Sequence, residues 1–202
     1  ALYFVTRWRV SEGRFADGLE YAESLLKINA NHGGAHLEKG RALVGLDKAS
    51  DAVMPLTQAT VLMPKDPRPH IELGDIFYTR KDYAKAAGHY AAACDLRLED
   101  LDLHLKAAEA YERADNLTSA LKLLQRIEPK YPDDLRLNAR IGLLQFALKD
   151  SAGAQAHLEK RIRSRVDDSL IFLALGDIYR SQKEYMKAIN MYEQSVPLVK
   201  DK

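Results

Sequence analysis

Apolar residues recur along this chain in paired stripes separated by short polar breaks. Within residues 67–100 the first stripe is Ile71, Leu73, Gly74 and Phe77, at helical spacing. Arg80-Lys81-Asp82 interrupts it, and Tyr83, Ala86, Ala87, Tyr90 and Ala93 form the second stripe. The pattern predicts two helices of about 13 residues joined by a polar turn, each too short to be stable alone in water. Pro67 suits the start of the first, because its missing N–H would be unpaired there. Such helices gain their stability by stacking on neighbours.

The stripes repeat along the whole chain. Gly40, Gly74, Gly142 and Gly176 share a grid with a step of 34 residues, and Ala108 fills the slot between. Ala52, Ala86, Ala120, Ala154 and Ala188 keep the same grid, twelve residues after each small residue. Small residues at these points predict crossings where no larger side chain fits. Units run 33–66, 67–100, 101–134, 135–168 and 169–202, and residues 1–32 fit the frame with its first two positions missing. A fixed period of this size marks a repeat array. The expectation is therefore one all-α domain over 1–202, built from about six helix–turn–helix units. The absent initiator Met, with a frame that opens at its third position, suggests an excised or processed chain.

The chain resembles the tetratricopeptide-repeat family over its whole length. Leu73-Gly74, Phe77, Tyr83, Ala86, Tyr90 and Ala93 match the family pattern in the third unit, and Leu175-Gly176, Tyr179, Tyr185, Ala188 and Tyr192 in the sixth. Pro64 and Pro132 take the closing proline slot, where Leu98, Val166 and Lys200 stand in other units. The first unit departs at Arg9 and Gly18, the fifth at Gln145, Ser151 and Arg161. Arg161 is expected to extend its stem over apolar neighbours and its head to water; a polar pocket formed with Gln145 is the alternative.

The resemblance implies a right-handed superhelical solenoid whose first helices line a concave groove that binds protein. The fifth positions of the units would face that groove: Tyr3, Leu37, Ile71, Leu105, Ala139 and Leu173. So would the twelfth: Val10, Val44, Tyr78, Glu112, Phe146 and Arg180. The expected contact set is Leu37, Ile71, Tyr78, Leu105, Glu109, Arg140 and Phe146, with Tyr78 and Phe146 as anchors for a helix or extended peptide. Packing between first helices is the competing explanation of the apolar row. Two groove chemistries of the family find no match. Tyr3, Leu37 and Ile71 occupy the slot of the first Lys in the carboxylate clamp of chaperone-binding members. The sixth row, Phe4, Glu38, Glu72, Lys106, Arg140 and Ala174, lacks the Asn ladder of the O-linked GlcNAc transferase type. Its change of sign would orient a ligand of mixed charge, or be solvated surface.

Composition narrows the function without naming it. A formal charge of +1 on a chain that is 29% charged gives no field to gather nucleic acid or anionic membrane. No apolar run approaches the ~20 residues that span a bilayer, and Ala1–Val5 is too short for a signal-peptide core. A cytoplasmic location is expected. One cysteine, Cys94, rules out an internal disulfide or a multi-cysteine zinc site. There is no phosphate loop, nucleophile elbow or H-E-x-x-H, so neither an enzyme nor a cofactor is expected. His36, His70 and His104 share the fourth position of consecutive units. Packed helices lie about 8–10 Å apart, so parallel histidines would pack rather than converge on a metal. Unit five carries seven cations (Arg136, Arg140, Lys149, Lys160, Arg161, Arg163, Arg165) against four carboxylates, whereas unit four carries five cations against seven carboxylates. That contrast supports the alternative function, an oligomerising module of a larger assembly working through units four and five and through its end faces. At the last unit Ile189, Tyr192 and Val196 would lie on an open face and support self-association.

Overall fold

A computed structural model describes residues 1–162 and 168–200, with side chains of the last helix followed to Pro197. Residues Arg163, Arg165 and Val166, singled out above, lie outside the described set, as does the Lys200 side chain. Twelve α-helices and no strand occur among the described residues. They are α1 (Leu2–Ser11), α2 (Phe15–Ile28), α3 (Gly33–Gly45), α4 (Ala49–Leu62), α5 (Arg68–Thr79), α6 (Tyr83–Leu96), α7 (Leu101–Arg113), α8 (Leu117–Ile127), α9 (Leu135–Ala147), α10 (Ser151–Arg161), α11 (Ser169–Ser181) and α12 (Tyr185–Lys200). They form two compact units, Ala1–Ala114 holding α1–α7 and Asp115–Lys202 holding α8–α12.

Each turn between a first and a second helix is built on one residue in the left-handed region: Gly13, Asp47, Lys81, Asp115, Lys149 and Lys183, at φ between 58° and 75°. These fall on the 34-residue grid, which the hydrophobic pattern did not reveal. At Lys81 the N–H donates to the Tyr78 carbonyl and the Asp82 N–H to the Phe77 carbonyl, both at 2.9 Å. That pair of bonds ends α5 in a Schellman motif. The same two bonds close α1, α3, α9 and α11. Asp82 then turns from stop to start, its side chain accepting from the Lys85 N–H at the head of α6. Asn116 and Asp150 cap α8 and α10 in the same way.

The small-residue grid marks the helix crossings. A Cβ added at Gly74 would strike the Tyr90 ring, at Gly40 the Leu56 side chain and at Gly176 the Tyr192 ring. At Gly142 it would come within 2.7 Å of Leu158 Cδ2. Ala52, Ala86, Ala120 and Ala154 have no exposed surface. In the first unit Leu37, Leu56, Leu73 and Ile76 close over these crossings. In the second unit Leu158, Ile171, Leu175 and Ile178 do so.

Candidate interaction face

In the first unit the first helices α3, α5 and α7 are tied by pairs that run from the ninth position of one repeat to the sixth of the next. Arg41 Nε meets Glu72 Oε1 at 3.1 Å, and Lys106 Nζ meets Asp75 Oδ1. Arg41 also reaches back to Glu38 Oε2 at 3.2 Å. Glu38 has no exposed surface, and burial lifts its carboxyl above the usual carboxylate range against the opposing pull of Arg41, Arg68 and Arg7. Glu72 is raised for the same reason, with repulsion from Asp75 and Glu38 adding to burial and Arg41 opposing. The sign change along the sixth row is thus answered inside the scaffold: acid at Glu72 faces Arg41, base at Lys106 faces Asp75.

The expected contact residues divide by role. Leu37 is a correction to the sequence reading: it is fully buried in the core of the first unit and presents no surface to a partner. Four helices, α1, α2, α4 and α5, pack against α3. Ile71 and Leu105 are half-buried. Tyr78 donates its hydroxyl to Glu109 Oε1 at 2.5 Å and stands edge-on to Tyr83, 5.2 Å between centroids. Glu109 also lies 3.7 Å from Arg113. Tyr78 is therefore a tie between α5 and α7 as well as a half-exposed ring. Arg140 and Phe146 belong to the second unit, on α9, where Phe146 packs against the core. Gln145 donates to Asp150 at 3.0 Å, bracing the cap of α10.

On α12, Ile189 and Val196 are about half exposed, and Tyr185 and Met186 still more so. Tyr192 behaves differently. Its ring covers Gly176 and its hydroxyl donates to Asp177 at 2.7 Å, as Tyr90 does over Gly74 toward Asp75 at 2.5 Å. The three histidines do not make a row of equivalent contacts. His36 bonds to the Ala30 carbonyl, His104 to the Asp100 carbonyl and His70 to His89.

Two adjoining hollows open at the ends of the first helices. One, of about 380 Å³, is lined by Val10, Ser11, Phe15, Arg41, Val44 and Glu72. The other, of about 270 Å³, is lined by Val44, Asp47, Glu72, Ile76, Thr79 and Arg80. They share Val44 and Glu72, so they adjoin as a trough lined by both apolar and charged side chains. A larger hollow of about 760 Å³ lies between α2, α3 and α4, with Leu26, Leu43, Met54 and Pro55 in its wall and the Lys39–Glu23 pair beside them. Its wall draws on second helices, so a search of groove positions alone misses it. No helix among the described residues is long and apolar enough to cross a membrane.

Models of the family described as tetratricopeptide repeat match residues 37–97, 71–134 and 171–202. The chain belongs to the tetratricopeptide-repeat family. Among curated relatives, the type IV pilus assembly protein PilF of Pseudomonas aeruginosa is 25% identical over 166 residues. That match takes in 79% of this chain and 64% of the relative, so the chain spans less than two thirds of the relative's length. Among solved structures, YrrB, a TPR protein with an unusual peptide-binding site, aligns at a TM-score of 0.70 with 15% identity, covering 88% of this chain and 91% of YrrB. MamA aligns at 0.62 with 18% identity, covering 79% and 93%. The Naa15/Naa10 complex bound to HypK aligns at 0.74 with 16% identity, covering 98% of this chain and 31% of the other. At such identities the structures show the fold alone, an all-α helical repeat; membership of the family supports a protein-interaction scaffold in general terms.

Proposed function

We propose that the chain is a non-catalytic scaffold that holds a peptide or helical segment of a partner protein along the first-helix face of α3 and α5. The linked trough around Val44 and Glu72 carries this reading. It offers apolar side chains (Val10, Phe15, Val44 and Ile76) beside charged ones (Arg41, Glu72 and Arg80), a composition suited to a peptide's side chains and polar groups. Ile71, Tyr78, Leu105 and Glu109 extend the contact face along α5 and α7, and Arg140 and Phe146 would serve the second unit in the same way. The six repeats would act as one array over 1–202 in a cytoplasmic setting. The likeness to PilF adds assembly of a larger complex as the biological context to examine.

The test is selection from a random linear-peptide display library on the purified chain, beside a Ser11→Arg/Thr79→Arg variant that crowds the trough from exposed positions. A peptide consensus held by the wild type and lost by the variant supports the trough. Equal binding by both moves the site elsewhere, and no enrichment against either defeats the peptide-groove reading. A second reading, self-association through α12, is favoured by the exposure of Tyr185, Met186, Ile189 and Val196 on one helix.

A further inference from the structure

We propose that α12 of one copy stacks against α1 of a second copy, in the register that joins consecutive repeats within the chain; this deepens the self-association reading and rests on it. Inside the chain each second helix packs on the first helix of the next repeat in five joints: α2 on α3, α4 on α5, α6 on α7, α8 on α9 and α10 on α11. Among the described residues α12 has no following helix to cover and α1 no preceding one to receive. The 34-residue step therefore identifies the slots of α1 and α12 that such a joint would close.

Those slots are open on α1 and α12 and closed elsewhere. Trp8 is 51% exposed, whereas Ala42, Ile76, Ala110, Leu144 and Ile178, its equivalents on the later first helices, are at most 4% exposed. Ile189 and Val196 are about half exposed, and no earlier occupant of either slot is exposed. Tyr185 is 60% exposed. In its slot the Phe15 ring lies over Gly45 of α3, and the Tyr83 ring faces the Arg113 guanidinium of α7 at 5.9 Å. Apolar side chains grouped at an open joint mark an interaction surface. The charges say which surface covers it. In the α10–α11 joint Tyr179 donates its hydroxyl to Glu159 at 2.8 Å. On the repeat grid the slot of Glu159 is held in α12 by Glu193, and that of Tyr179 in α1 by Arg9. Arg9 Nε is buried without a hydrogen-bond partner, its guanidinium 4.7 Å from the Trp8 ring centre. Neither Arg9 nor Glu193 belongs to an ion pair among the described residues. A second copy brings each the opposite charge at the point where the internal joint has its own polar contact. The joint is heterologous, so every added copy leaves one α1 and one α12 free.

The experiment follows the purified chain by light scattering over a concentration series and reads the emission of Trp8, its only tryptophan, on the same samples. The mass should rise with concentration, and the emission should move to shorter wavelength with it as the indole leaves water. Trp8→Glu and Ile189→Glu, each shown to be helical by circular dichroism, should stay monomeric alone and form a dimer when mixed, because each keeps the face that the other lacks. Arg9→Glu and Glu193→Arg should each weaken association at least about tenfold, since like charges then meet across the joint. The double variant Arg9→Glu/Glu193→Arg should recover it. No rise in mass overturns this proposal and the self-association reading together. A rise that Ile189→Glu abolishes and Trp8→Glu leaves intact, with unchanged emission, overturns the proposal and keeps α12 pairing with itself. A mixture that stays monomeric overturns the α12–α1 joint, and a double variant that stays weak overturns its register.

Discussion

Two Gly→Ala substitutions in one repeat should change stability in opposite directions. Gly74 lies in α5 under the Tyr90 ring, and Tyr90 has no exposed surface into which to retreat. Gly88 lies in α6 with nothing within 4 Å of an added Cβ. Both gain the intrinsic helix preference of Ala, about 0.8–1.0 kcal/mol. Only Gly74→Ala also overpacks a closed contact, a cost of about 1–3 kcal/mol. Gly88→Ala should then stabilise by nearly 1 kcal/mol, and Gly74→Ala should destabilise by up to about 2 kcal/mol. For a chain of this size each kcal/mol moves Tm by about 2–4 °C. Thermal unfolding followed by circular dichroism should separate the two variants by roughly 5 °C, with the wild type between them. A rise in Tm for Gly74→Ala equal to that of Gly88→Ala would refute the claim that crossing distance explains the small-residue grid.

Other positions give further tests. Burial raises the folded-state pKa of Glu38 above its unfolded value of 4.5, so the folded state is penalised above the raised pKa and relieved as pH falls from it toward 4.5. Glu38→Gln should therefore raise Tm at pH 7, with the advantage fading toward pH 4.5, whereas an equal loss at both pH values would show that the charge itself is required. Tyr90→Phe removes a hydroxyl bonded to the Asp75 carboxylate and should cost about 1.5–3 kcal/mol in urea unfolding; a neutral result would mean that Lys106 alone satisfies Asp75. Lys149→Gly should be tolerated at φ 67° and Lys149→Val should lower Tm, because branched side chains resist the left-handed region; equal behaviour would put no strain at the turn. Ile189→Glu should reduce the mass measured by light scattering if α12 mediates self-association, and an unchanged mass would remove that reading.

The fold was legible because its constraints recur. Gly40, Gly74, Gly142 and Gly176 report helix crossings, and a crossing admits few side chains, so the sequence repeats wherever the geometry does. The left-handed grid at Asp47, Lys81, Asp115, Lys149 and Lys183 was not legible, because Asp and Lys carry no glycine signal there. The contact face was only partly legible. Slot position identifies which helix a residue sits on, but not how far its neighbours cover it. Leu37 and Ile71 share a slot, yet Leu37 is sealed and Ile71 half-exposed. Tyr78 and Glu109 were read as separate contacts and turn out to be one hydrogen-bonded pair. His89, on a second helix, lay outside the row of equivalent slots and had no periodic signal to draw attention to it.

The ion pairs change what a useful groove substitution looks like. Arg41 touches Glu72, and Asp75 touches Lys106, so replacing any of these four disturbs a joint between repeats together with the surface. A loss of binding after such a change would not distinguish a contact from a support. The exposed positions Ser11 and Thr79 place their hydroxyls on carbonyls of their own helices, Trp8 and Asp75, and among the described residues neither side chain bonds elsewhere. Bulk added there enters the trough while the joints remain. If Ser11→Arg/Thr79→Arg loses a selected peptide at unchanged Tm, the trough is the site. If the peptide survives that change but is lost with Arg41→Gln at lowered Tm, the face acts through its stability, and the contact must be sought elsewhere on the chain.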